Sequence, residues 1–190
     1  MGIRYSETSI REAEKIDSID VIAPVTSRLC AFYIIAGEPY KTSLSAFKAI
    51  RLIERQNRQH DFFGLGNNVY TALNLYYGHS LAWLGDFEKG EQYCKKGLEF
   101  GLKNDSLTGL ALAEFLYGYF YMHRGDGQNV ITHFQECIRY CEKGEALIFL
   151  GLAWTGLGMG HFFIHDKKTA LQCIEKGMKT QKNAGLPYYL

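Results

Sequence analysis

The twenty-five residues from Tyr77, YGHSLAWLGDFEKGEQYCKKGLEFG, return forty residues later as YGYFYMHRGDGQNVITHFQECIRYC from Tyr117 and again as LGMGHFFIHDKKTALQCIEKGMKTQ from Leu157. The alignment needs no gap. Gly78, Gly118 and Gly158 recur at a spacing of 40, as do Gly85, Gly125 and His165, and likewise Asp86, Asp126 and Asp166. A constant period of this length marks stacked supersecondary units, each of which buries its apolar face only against its neighbours.

Each recurring position has a physical reason. A glycine inside a helix costs about 1 kcal/mol relative to alanine, so its return at one phase predicts a contact too close for a side chain. The Gly-Asp pair punctuates: glycine takes the left-handed position that ends one helix, and aspartate caps the start of the next. Every unit is thus predicted to be a helical hairpin. Twelve residues past the punctuation stand Ala49, Gly97, Cys137 and Gly177, all small, followed by Ile50, Leu98, Ile138 and Met178, all apolar. That pair predicts a seam of close packing followed by a core knob.

Upstream the pattern loosens. Gly37-Glu38 takes the Gly-Asp role 48 residues before Gly85, and the extra residues fall at 59–67, read as a loop. The expected organisation is one domain over 1–190, with a partial unit at 1–20, in which IREAEKID (10–17) is a second helix. Hairpins follow at about 21–58, 68–101, 106–143 and 145–183, and a further unit starts at 186–190. Stacked repeats need caps, so a pattern interrupted within a period at both ends reads as a fragment of a longer protein.

Bulk properties narrow the functional classes. With 47% apolar residues the chain can bury a core, and a net charge of +1 gives no global field for nucleic acid or anionic lipid. The five cysteines are odd in number and include no CxxC pair, which fits a reducing, cytoplasmic setting better than a disulfide framework. No apolar run approaches a membrane span, so no membrane partner is expected. Met1-Gly2 with Ser6 matches the minimal myristoylation pattern, which six loosely constrained positions often do by chance.

The glycine at station eight, the Gly-Asp turn and the small residues at stations twenty and twenty-seven resemble the tetratricopeptide (TPR) consensus over residues 22–183. The period departs from the family's 34 residues, the station-four tryptophan appears only as Trp154, and the terminal proline is missing. These departures are similar to long-helix TPR arrays of large bacterial ATPase, nucleotide-cyclase or transcriptional regulators. The resemblance implies an all-α, right-handed α-solenoid of TPR-like hairpins. It further implies a groove lined by first helices: Leu75, His79 and Trp83 from one unit, Phe115, Tyr119, Met122 and His123 from the next, and Thr155, Met159 and Phe162 from the last. This aromatic, nearly uncharged set lacks the basic carboxylate-clamp stations of chaperone-binding TPR domains. It suits an apolar protein or peptide segment, other domains of the parent chain, or a second copy in a homodimer.

Catalytic and cofactor chemistry finds little purchase. His161 and His165 share a helical face, but the intervening glutamate of HExxH is missing and His165 replaces a turn glycine, so no metal is expected. Cys137 and Cys141 occupy packing positions. GLGN (64–67) and GLGMG (156–160) complete no phosphate-binding motif, and no nucleophile elbow occurs. Lys48, Arg51, Arg55 and Arg58 form a basic stripe interrupted by Glu54, expected on a solvated face. The expectation is therefore a non-catalytic interaction and signal-relay module without cofactors. Its rivals are a ligand-sensing groove with Tyr119, His123 and His79 as polar handles, and a structural oligomerisation domain.

Overall fold

A computed structural model describes residues 2–144 and 146–185. The described residues are all-helical, with no strand among them. The helices are α1 (Gly2–Lys15), α2 (Ile19–Ile35), α3 (Pro39–Arg55), α4 (Val69–Trp83), α5 (Phe87–Asn104), α6 (Leu107–Arg124), α7 (Gly127–Gly144), α8 (Leu147–Phe163) and α9 (Lys167–Asn183). The further unit expected at 186–190 lies outside the described residues. The chain divides into two compact units, Met1–Ser106 and Leu107–Leu190.

In the first unit successive helices pack from α1 to α5, and α2 also touches α4. Glycines and short side chains set the antiparallel pairing of α4 and α5. A Cβ on Gly78 would stand 2.6 Å from the Gly90 carbonyl oxygen and closer still to the Cys94 sulfur, while one on Gly97 would meet Leu75 and, at 3.0 Å, Asn74. Earlier in the unit, Tyr33 donates to Glu7 at 2.6 Å, and Phe47 meets Tyr77 at 5.4 Å between ring centroids.

The second unit repeats the scheme with α6 to α9, and α6 also touches α8. A Cβ on Gly118 would come within 2.7 Å of Phe134, and one on Gly158 within 2.8 Å of the Ala170 carbonyl. The Cys137 thiol donates to the Ala111 carbonyl at 3.2 Å, so the small station of α7 is a hydrogen bond to α6 as well as a packing contact. Helix α8 is held on two sides. Gly151 and Gly158 approach Gln181, Ala170 and Ile174 of α9, and Gly156 and Gly160 approach Phe134, Val130 and Ile131 of α7.

The Gly-Asp punctuation works as its chemistry requires, whereas Glu38, in the aspartate place before α3, makes no side-chain cap although Gly37 takes the left-handed turn. Gly85 and Gly125 have φ of 91° and 73°, and His165 takes the same left-handed turn at 65°, where a side chain pays for it in strain. Asp86, Asp126 and Asp166 then cap the following helices by accepting from Lys89 N at 3.3 Å, Asn129 N at 3.1 Å and Thr169 N at 3.1 Å. Asp126 also accepts from the Asn129 side-chain amide at 2.7 Å. Asp126→Ala is expected to cost about 1 kcal/mol, the usual value of an N-cap, read as a lower midpoint in thermal or urea unfolding.

Two local expectations are corrected. Arg58 does not belong to the basic stripe, because α3 ends at Arg55 and Arg58 turns into the loop, pairing with Asp61 at 2.6 Å and Asp20 at 2.8 Å. Met178, aligned with the core residue Ile50, is 51% exposed, since no described helix covers that side of α9.

Candidate interaction surface

The sequence places three sets of first-helix residues in one groove; their surroundings differ. In the first unit, α4 lies among α2, α3 and α5 and is buried from Val69 to Ala82. Leu75 and His79 are 0% and 2% exposed, so they are core residues and not groove-lining ones. Trp83, at the end of α4, is 41% exposed and stands 5.9 Å from the His79 ring. The correction has a simple cause: repeat position fixes which side of a helix a residue occupies, whereas exposure depends on how many helices surround it.

The second unit behaves differently. On α6, Leu112, Phe115, Tyr119 and Met122 follow one another at spacings of three and four, and all four are partly exposed. Phe115 packs edge-on against Tyr119 at 4.8 Å and Phe134 at 5.9 Å, and contacts Phe149 of α8 at 5.6 Å. Burial pushes the Tyr119 hydroxyl above its ordinary pKa, so it remains a neutral phenol. His123, at the end of the stripe, is exposed as a residue, but burial of its ring holds its pKa below the usual histidine value.

On α8 the same spacing runs through Ile148, Leu152, Thr155, Met159 and Phe162. Ile148 and Phe162 are 45% and 52% exposed, and the three between them are partly open. Thr155 borders α9: its hydroxyl donates to the Gly151 carbonyl at 3.1 Å, and it abuts Gly177. Alternating steps of three and four place side chains along one line of a helix, the arrangement with which helices meet apolar partner helices. The second unit therefore carries two open apolar stripes at equivalent positions of adjacent repeats.

Reactive groups are engaged in structure. His161 lies 3.4 Å from the Asp166 cap, and His165 forms the turn. Among the described residues no group of three His, Cys, Asp or Glu side chains could hold a metal ion. All five cysteines are free and buried. No described helix is long and apolar enough to cross a membrane.

One polar element escaped the sequence reading. Glu114, 5% exposed on α6, accepts from the His133 ring nitrogen of α7 at 2.6 Å; Tyr121 stacks on that imidazole at 5.2 Å and Tyr117 meets it tilted at 4.3 Å. The signal was present: Glu114 is the single acid in LTGLALAEFLYGYFYMHR, and a carboxylate on so apolar a helix requires a partner.

No protein-family model matches the chain, and no curated protein matches it. Among solved structures, its fold is similar to the crystal structure of BtubC (BKLC) from P. vanneervenii, with a TM-score of 0.71 and 16% identity over 96% of this chain and 74% of that chain. At that identity the likeness is one of fold.

Proposed function

We infer that the chain is a non-catalytic, TPR-like protein-interaction and signal-relay module, part of a larger bacterial regulatory protein acting in the cytoplasm. Its second unit receives an apolar helical segment. The observation that carries this reading is the pair of partly open stripes on α6 and α8, ending in the exposed Phe162. An amphipathic partner helix presents anchors at spacings of three and four, and aromatic and Met side chains adapt to such anchors. The forty-residue repeat and the fold likeness support a repeat scaffold; they do not select the partner.

Phe162 is the side chain to test, because Phe115 is tied into the ring cluster around Phe134 and its replacement would also damage the core. Selection of displayed peptides on the immobilised chain is expected to enrich amphipathic apolar helices, and Phe162→Asp should weaken their binding about tenfold or more with an unchanged melting temperature. Sedimentation across a concentration series separates this from pairing of two copies through the same stripes. A chain that enriches no apolar helix and stays monomeric defeats the reading.

A further inference from the structure

On the first unit, the loop after α3 and one face of α5 border a cleft of ≈ 670 Å3. Its α5 side is the row Gln92, Lys95, Lys96, Glu99, Phe100 and Lys103, whose spacing places all six on one helical face. Tyr70 of α4, 4% exposed, meets Phe100 edge-on at 5.1 Å and gives the cleft an aromatic base.

The opposite rim is a loop fixed by its own hydrogen bonds. The Asn68 side chain caps α4 by accepting from Thr71 N at 2.9 Å and donates to the Gln59 carbonyl at 2.9 Å. His60 lies 5.2 Å from the Phe100 ring, with Nδ1 3.1 Å from Asn104 Oδ1. The Asn104 amide nitrogen donates to the Phe100 carbonyl at 2.8 Å, so its oxygen is the acceptor and His60 Nδ1 carries the hydrogen.

The charge of the cleft is one-sided. Three lysines face one glutamate along its lining. Behind Lys96, Glu54 accepts from Lys96 at 2.8 Å and from the Tyr70 hydroxyl at 2.8 Å, and pairs with Arg51 at 3.4 Å. Burial pushes the Glu54 carboxyl up, but the Lys96 and Tyr70 hydrogen bonds outweigh it and hold its pKa below the usual value. Lys96 is thereby held in place over the rings of Tyr70 and Tyr93, at 5.4 and 5.6 Å. Lys95 and Lys103 are exposed and have no ion-pair partner among the described residues.

We propose that this cleft on the first unit, between the 56–68 loop and α5, is a second binding site, and that it takes an acidic peptide segment of a partner protein. Lys96 is fixed by Glu54, Lys95 and Lys103 outweigh Glu99 by one positive charge, and the Gln59 and Gln92 amides can pair with a peptide backbone. A nucleic-acid strand fits less well: the carboxylates of Glu54 and Glu99 oppose a continuous phosphate chain, whereas a peptide spaces its carboxylates. The chain's net charge of +1 offers no wider field for a polyanion.

The test is fluorescence anisotropy with the full chain and a labelled peptide of alternating glutamate and serine, against the same peptide with glutamine for glutamate. The glutamate peptide is expected to bind saturably and the glutamine peptide not. Lys95→Glu with Lys103→Glu should weaken binding about tenfold or more, and Lys95→Gln with Lys103→Gln by less, both with unchanged melting temperatures. Phe162→Asp should leave this affinity unchanged, which keeps the site distinct from the apolar stripes. Absence of saturable binding, equal affinity in the lysine variants, or tighter binding of a labelled oligothymidylate overturns the proposal.

Discussion

Gly78→Val is expected to cost the first unit about 3 kcal/mol or more, at the upper end of what inserting side-chain atoms into a packed core does. The added Cβ would meet the Gly90 carbonyl oxygen at 2.6 Å and the Cys94 amide nitrogen at 2.9 Å. Both are backbone atoms of α5, so no rotamer change relieves them and the helices must separate. Separation also withdraws Gly97 from Leu75, which is 0% exposed and fills the middle of that contact. The measurement is chemical unfolding followed by far-ultraviolet circular dichroism, together with hydrogen exchange on α4 and α5. Exchange should accelerate in those two helices first. A midpoint unchanged from the natural chain would mean that α4 and α5 do not approach as described.

Phe134→Ala is expected to cost the second unit about 3–5 kcal/mol, the range for emptying a phenylalanine site in a core. Phe134 is 0% exposed, packs edge-on against Phe115 and Tyr119, and occupies the space that Gly118 and Gly156 leave by having no side chain. Rigid glycine backbone on two helices surrounds it, so the cavity has little means to collapse. Phe134→Leu should recover part of the loss. If the alanine variant costs under about 1 kcal/mol, the cluster relaxes more freely than a packed interior does.

These predictions show what the repeat made legible. Gly78, Gly118 and Gly158 are tight contacts, and Asp86, Asp126 and Asp166 are caps, because local backbone geometry and steric exclusion depend on residues near in sequence. Even His165, an apparent exception, takes the left-handed conformation of the glycines it aligns with. Exposure was less legible. Leu75 and Phe115 occupy the same station of successive repeats, yet α4 is enclosed by three helices and the α6 stripe stays partly open. The α5 cleft escaped for a related reason. Lys95, Lys96 and Lys103 complete no motif in the sequence, and only the loop after α3, held through Asn68 and Asp61, makes their helical face one wall of a cleft.

Helix α8 holds four glycines in its 17 residues, LIFLGLAWTGLGMGHFF. At about 1 kcal/mol each, they make it a poor helix in isolation, and each is repaid only by contact with α7 or α9. During synthesis, then, this segment gains a partner on one side as soon as α7 is formed, but must wait for α9 to leave the ribosome before its other side is closed. The order of emergence thus keeps the α8–α9 hairpin from becoming rigid until α9 is out, and leaves α8 open to chaperones for as long as translation of α9 takes.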